Sequence, residues 1–335
     1  MKFNTRYRAA AYVMTAVMAI PPMMPMLAQD AGGVSVAELT PQADKAIKKG
    51  LEFLANTQKE DGSWGTNFRV AGTALGLMAF MVKGHFPDRP PYGDKLTKAV
   101  GFLLTSCETG RGYMGASMYE HALGTLALSE VWGMSRDPRL QKQLKEAVRT
   151  ILASQNPAGG WRYAPTPTDA DLSVTVMQTV ALASAREAGI VVPDTTIKKA
   201  IDYVLACNDK TTGGFTYTAG TGGPSFAMTA AGSMSLMMLG QRDNPAVAKG
   251  LLWLRSQPEG AFENVGYYYY QHYYAAQAMY QAGDAYYRQW YPRIRDSLLT
   301  KQALDGSWPV QHGVETQFAI LILGIPYRFL PIYQR

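Results

Sequence analysis

Charge is what this sequence has least of. Of its 335 residues only 17% are Asp, Glu, Lys or Arg, where about a quarter is usual. Apolar residues make up 47%, which excludes a disordered chain and calls for a large core or a large apolar cavity. Cysteine is scarce: Cys107 and Cys207 alone exclude a disulfide-dense scaffold and a four-thiolate zinc site. Whether the two are bonded is open at this level. Basic blocks are missing as well. The net charge is +6, but Lys2, Arg6 and Arg8 fall in the acid-free residues 1–28; without those three of the 32 bases, 29 face 26 acids. Nothing there tracks a phosphate backbone, so nucleic acid is excluded as a partner. There is no serine-nucleophile elbow, phosphate-binding glycine loop or dinucleotide fingerprint. The stretch Gly220-Thr221-Gly222-Gly223 has no following strand or lysine.

Residues 1–28 have the features of a secretory signal peptide. A basic stretch precedes an apolar run over 9–20, too short for the roughly 20 residues a bilayer span takes. Pro21, Pro22 and Pro25 then break the helix, and Ala28 offers a small residue for cleavage before Gln29. Met26 stands where a second small residue would complete the cleavage pattern, which leaves an uncleaved anchor as the alternative. The expectation is export, to the periplasm or beyond, a single domain over 29–335, and no membrane span in the mature chain.

An internal repeat organises that domain. A turn with glycine and an aromatic residue occurs six times, at Trp64, Tyr113, Trp161, Phe215, Phe262 and Trp308, with spacings of 49, 48, 54, 47 and 46. Before each turn lies a helix-period segment, with Ile47, Leu51 and Leu54 on one face of the first and Val247, Leu251 and Leu254 on one face of the fifth. Thr40-Pro41, Asp137-Pro138 and Asn244-Pro245 each put a capping side chain before a proline at the first helical position. Asp94 and Asp194 are the expected caps of the second and fourth such helices. After each turn comes a helix apolar nearly all round, as at 72–82, 173–185 and 226–239, ended by Gly84, Gly133, Gly189, Gly240 and Gly283. An open stack of such pairs needs polar outer faces at its ends. The last apolar helix, 316–323, has none. The expected fold is therefore all-α, an α/α toroid of six buried inner and six amphipathic outer helices.

The segments running from Gln58 to Trp64 and from Gln302 to Trp308, with a looser copy from Gln155 to Trp161, resemble the glutamine–tryptophan repeats of squalene–hopene cyclases. The same toroid occurs in the β subunits of protein prenyltransferases. The chain looks most like exported bacterial proteins with prenyltransferase and squalene-cyclase repeats, an impression that fits the ending Tyr327-Arg328-Phe329-Leu330-Pro331. The resemblance implies the fold more strongly than an activity. It makes Asp169 and Asp171 counterparts of the first two acids of the cyclase Asp-x-Asp-Asp cluster, with Asp171 in the proton donor's place and Leu172 replacing the last acid. The length allows one toroid, where squalene cyclases carry two helical domains. The prenyltransferase zinc site has lost its thiolate at Asp171-Leu172-Ser173, and Glu315 stands where its histidine would be. The thioester signature of complement-like toroids is missing too.

The candidate catalytic residues are Asp171, Asp169, Glu120 and His121. Asp171 is either a carboxylic acid kept neutral for alkene protonation or the N-cap of its helix. These readings are opposite in charge. Glu120 and His121 are adjacent, so at most one faces the ring centre. His121 is either a general acid–base group or a hydrogen-bonded interior residue. The candidate binding residues are Tyr267, Tyr270, Tyr274, His272, Tyr119 and Glu315. The run at 267–274 puts Tyr267, Tyr270 and Tyr274 on one helix face and Tyr269 and Tyr273 on another. Such rings could line a cavity for an apolar or cationic guest or simply pack. No cofactor is expected. A metal held by His121, His272, His312 and Asp171 lacks any ligand pair spaced on one helix. Two functions follow. One is binding or cyclisation of an isoprenoid-like lipid, with Asp171 as proton donor. The alternative is a non-catalytic exported scaffold that binds a protein or glycan partner. A hydrolase using Glu120 with Asp171 is a third reading.

Overall fold

The computed structural model describes residues 39–334, apart from Gly133, Arg136, Pro167, 264–266, 310–311 and the side chain of Glu259. The expected leader and the expected helix stop at Gly133 lie outside the described residues. Among those described, six outer helices are α1 (Pro41–Thr57), α3 (Gly93–Thr109), α5 (Leu140–Ala153), α7 (Asp194–Ala206), α9 (Pro245–Ser256) and α12 (Asp284–Lys301). Six inner helices are α2 (Arg69–Met81), α4 (Met118–Glu130), α6 (Leu172–Glu187), α8 (Phe226–Met238), α11 (Tyr268–Ala282) and α13 (Glu315–Gly324), and a short helix, α10 (Glu259–Glu263), lies in the fifth turn. Each inner helix packs on the next, and α13 packs back on α2. This is the closed α/α toroid.

The outer helices begin where local chemistry stops the chain from fraying. Thr40 accepts from the Ala43 N–H at 3.2 Å, and Asn244 from the Ala246 N–H at 3.0 Å, each with proline behind it. The other three expected caps differ. Asp137 folds back on Arg139 instead, accepting its N–H at 2.9 Å and pairing with its guanidinium at 2.8 Å, so α5 starts later. Asp94 and Asp194 lie inside the first turns of α3 and α7, where they act on the helix dipole rather than as caps.

Three of the turns are built alike, and they sew the ring shut. The Gln58 amide donates to Gly62 O at 2.9 Å and to Lys95 O of α3 at 2.8 Å. Gln155 does the same to Gly159 O and Thr196 O of α7, at 2.9 and 3.0 Å. Gln302 donates to Gly306 O and, across the closure, to Ala46 O of α1, at 2.9 and 2.8 Å. The turn backbone lies so close to the next outer helix that a Cβ on Gly159 would sit 2.0 Å from Lys199 O. Gly159 also has φ +99°, so glycine is required there twice over. The indole N–H groups of Trp64, Trp161 and Trp308 donate to Leu54 O, Ile151 O and Leu298 O at 2.7, 2.8 and 2.8 Å.

A second clasp comes from the inner helices. The backbone N–H of Trp64, Trp161, Phe215 and Trp308 donates to the hydroxyls of Thr73, Thr175, Thr229 and Thr316 at 2.9–3.1 Å. In the second repeat the equivalent N–H belongs to Met114, and its acceptor is His121 Nδ1 at 3.1 Å. This corrects the expected register: Met114, fully buried, fills the slot assigned to Tyr113. The slot lies two residues after the positive-φ glycine, at Gly62, Gly112, Gly159, Gly213 and Gly306. Gly76, Gly124 and Gly232 of α2, α4 and α8 lie against Trp64, Met114 and Phe215 respectively.

Candidate functional site at the mouth of the ring

The N-termini of the inner helices gather at one end of the ring, and the candidate acids lie among them. Asp171 is fully buried and caps α6: Oδ1 accepts from the Val174 N–H at 2.9 Å and the Ser173 hydroxyl at 2.6 Å. Its Oδ2 pairs with Arg162 Nε at 3.4 Å. Oδ1 thus serves as the N-cap of α6, while the buried Oδ2 makes no hydrogen bond. Asp169 points to solvent, its side chain 60% exposed, and meets the same guanidinium at 3.4 Å. The two acids thus share Arg162, one from solvent and one from the interior.

Glu120 is buried, but its lone pairs are spent on backbone. Oε1 accepts from the N–H groups of Val70 and Ala71 at 3.1 and 3.4 Å, and Oε2 from the Ala116 N–H at 2.8 Å. The first of these bonds matter because Phe68, at the N-cap position of α2, supplies no side-chain cap. Glu120 supplies that cap from the neighbouring helix. Glu315 does a similar service for its own helix, with Oε2 accepting from Gly313 and Val314 at 2.9 and 3.0 Å and Oε1 from His312 N at 2.5 Å. Neither carboxylate reaches Asp171 through any bond of its own.

The two inner histidines are clasps. His121 accepts from Met114 N–H and donates from Nε2 to Ala147 O at 3.0 Å, so both nitrogens are committed. His272 donates from Nε2 to Phe262 O at 2.9 Å and is enclosed by Phe262, Tyr268 and Trp290. Burial lowers the His121 imidazole to about 4 and the His272 imidazole to about 3, against the upward pull of each carbonyl. Both are neutral at pH 7. Of the two readings of His121, the geometry has the features of the hydrogen-bonded interior residue: its ring is fully enclosed and both nitrogens are bonded. Among the described residues no three His, Cys, Asp or Glu side chains gather closely enough to hold a metal ion.

The tyrosines do come together. Tyr267, Tyr270 and Tyr274 form one stack along α11, edge to face at 6.3 and 4.9 Å. Tyr119 of α4 reaches them from the far side of the ring, 6.0 Å from the Tyr270 ring and 3.5 Å from the Tyr274 hydroxyl. The Tyr274 hydroxyl also donates to Met177 Sδ of α6. Tyr273 turns instead toward Phe318 of α13. Burial pushes the Tyr119, Tyr270 and Tyr274 phenols above their ordinary value, so they remain neutral donors. Tyr267 is 63% exposed and stacks on His312 at 5.4 Å. At the opposite end of α4, Glu130 accepts from Ser184 Oγ at 2.6 Å and from Ile332 N at 3.2 Å, holding the C-terminal segment. Burial pushes that carboxyl up to about 7.

Sequence reasoning missed Arg162, Tyr163 and Tyr217. Tyr163 and Tyr217 each follow a turn aromatic by two residues, a repeat that the turn alignment contains. Their carbonyls accept from Met118 N–H and Leu172 N–H at 2.8 Å, the first residues of α4 and α6. Their hydroxyls lie 2.9 Å apart, and the Arg162 guanidinium sits 5.7 and 5.9 Å from their rings. Both rings are open to solvent.

No family model matches the chain. A stretch of 138 residues is 28% identical to mouse (Mus musculus) lanosterol synthase, covering 35% of this chain and 18% of that enzyme. The chain thus spans under a fifth of the length of this curated relative. Among solved structures, an inactive variant of the alpha-1,6-mannanase GH76A of Salegentibacter sp. HEL1_6, in complex with alpha-1,6-mannotriose, superposes with a TM-score of 0.67 at 10% identity, over 86% of this chain and 99% of that one. A variant of the type II terpene cyclase MstE from Scytonema, in complex with geranylgeranyl dihydroxybenzoate, superposes at 0.60 and 14% identity, over 88% and 100%. The fold is thus the α/α toroid, one that resembles both these enzymes. At these identities the likeness concerns the fold.

Proposed function

We propose that this chain is an exported binding toroid whose tyrosine mouth takes a glycan. One observation carries the reading: a continuous series of hydroxyl-bearing rings runs from solvent at Tyr267 through Tyr270 to Tyr119, with Tyr163, Tyr217 and Arg162 beside it. A sugar presents a C–H face that lies on a ring and hydroxyls that need donors and acceptors. Tyrosine supplies both surfaces in one side chain. Arg162 adds planar donors at the edge. A polyprenyl chain needs instead a dry apolar pocket, whereas here Tyr119, Tyr270 and Tyr274 meet across the centre. The mannotriose complex of the structurally similar mannanase makes α-1,6-mannotriose a sensible first probe.

The rival reading is cyclisation of an isoprenoid-like lipid with Asp171 as proton donor. It draws on the likeness to MstE, and it requires a protonated Asp171. Asp171 is instead engaged in structure, its Oδ1 capping α6 and its Oδ2 3.4 Å from the Arg162 guanidinium.

Titration calorimetry against a panel of soluble oligosaccharides that includes α-1,6-mannotriose tests the proposal. Binding is expected, weakened by about tenfold or more in Tyr217→Ala and Tyr267→Ala, the loss of roughly one stacked ring. Binding indifferent to both substitutions overturns it. So does turnover of geranylgeranyl dihydroxybenzoate that disappears in Asp171→Asn. Export is tested separately, by sequencing the N-terminus of the secreted protein, with Gln29 expected first.

A further inference from the structure

A second recess lies between α9 and α12, against the fifth turn. It encloses about 280 Å³. Its floor is apolar, formed by Phe226 of α8, Leu254 of α9 and Met279 of α11. Trp290 of α12 forms a wall; it is 8% exposed, and its indole N–H has no acceptor. A buried donor without a partner is costly, so an acceptor arriving from outside gains by meeting it. Two guanidinium groups stand at the edge. Arg255 lies 5.5 Å from the Tyr286 ring and Arg293 3.6 Å from the Phe262 ring. Stacking on the Tyr286 face leaves the in-plane N–H groups of the exposed Arg255 guanidinium directed outward. Arg255 has no ion pair among the described residues.

We infer that this recess binds a small carboxylate carried on an aromatic ring or short acyl group. The apolar floor takes the ring or chain, the Arg255 fork takes the carboxylate in bidentate fashion, and the Trp290 indole N–H meets an acceptor of the same ligand. The volume sits at the low end of ligand pockets, which run from about 300 Å³. It holds one ring and its acidic arm and is too small for a sugar chain or a polyprenyl tail. Two sources present this chemistry, a free aryl or acyl acid and the C-terminal aromatic residue of a peptide.

The experiment uses 3-phenylpropanoate, its amide 3-phenylpropanamide, and N-acetylphenylalanine. Binding is followed by calorimetry and by the indole N–H resonance of Trp290, assigned by its loss in Trp290→Phe. Both acids are expected to bind and to shift that resonance. The amide, and Arg255→Gln with either acid, should bind about tenfold more weakly, the worth of roughly one charge-assisted hydrogen bond. Arg255 is exposed, so the substitution leaves the fold intact. Tighter binding of N-acetylphenylalanine than of 3-phenylpropanoate assigns the site to peptide termini, and the reverse assigns it to free acids. Equal affinity for acid and amide overturns the proposal, as does a Trp290 resonance unmoved by either acid. Tyr217→Ala leaves this binding unchanged, which separates its outcome from that of the mouth.

Discussion

Four repeats clasp their turn with a threonine hydroxyl, while the second and fifth bring a histidine to it. In a ring of six, the second and fifth inner helices stand opposite one another. They are also the helices whose tyrosines, Tyr119 and Tyr270 with Tyr274, meet across the centre. The threonine repeats form a plain frame. The histidine repeats carry the wider aromatic side chains that fill the ring and reach its mouth. A threonine clasp has no charge to gain, whereas a buried imidazole has one that the protein excludes. The difference between the repeats is therefore also a difference in response to pH.

The largest expected effect breaks the comparison at its titratable side. An unfolded histidine has a pKa near 6.5, and the folded values are about 4 for His121 and about 3 for His272. The unfolded chain binds more of these protons in that window, so the histidines' contribution to stability is complete above pH 6.5 and is lost as pH falls toward 4 and then 3. Together the two shifts are worth several kcal/mol, at about 1.4 kcal/mol per unit. Chemical denaturation between pH 7 and 4 should show this fall, and His121→Gln should flatten it. A fall unchanged by the substitution would show that other groups govern it.

Next in size is removal of a frame indole. Trp161→Ala empties a fully buried slot and breaks the bond to Ile151 O, for an expected loss of about 3–5 kcal/mol read by denaturation. Glu130 offers a contrast of opposite sign. Its carboxyl is raised from an ordinary 4.5 to about 7, so the folded state holds a proton that the unfolded state releases. Stability then falls as pH rises from about 4.5 to 7 and stays lower above it. Glu130→Gln keeps the shape without the charge. It should stabilise the protein by up to about 3 kcal/mol at pH 8 and by little at pH 4.5. The smallest effect sharpens the frame side: Thr175→Val leaves the Trp161 N–H unpaired and should cost about 1–2 kcal/mol at every pH.

Composition, glycine turns and helix periods were enough to determine the toroid. A turn that must bring its backbone against the next helix accepts only glycine, and a helix surrounded by others must be apolar all round. Both demands are local enough to be written as a repeat along the chain. Even so, the register of the second turn was misread, because Tyr113 is aromatic while the buried slot belongs to Met114. The amphipathic faces of α11 were legible too, since side-chain direction on one helix depends only on spacing. What Asp171, Glu120 and His121 do was not legible. Each is a chemically versatile side chain, and its role depends on partners distant in the chain: Glu120 on Val70, His121 on Ala147. The ion pair of Asp171 with Arg162 and the meeting of Tyr119 with Tyr270 likewise exist only once the ring has closed. The repeat alone determined where the helices lie; tertiary structure decided which groups remain free to meet a ligand, because burial and hydrogen bonding are properties of neighbours.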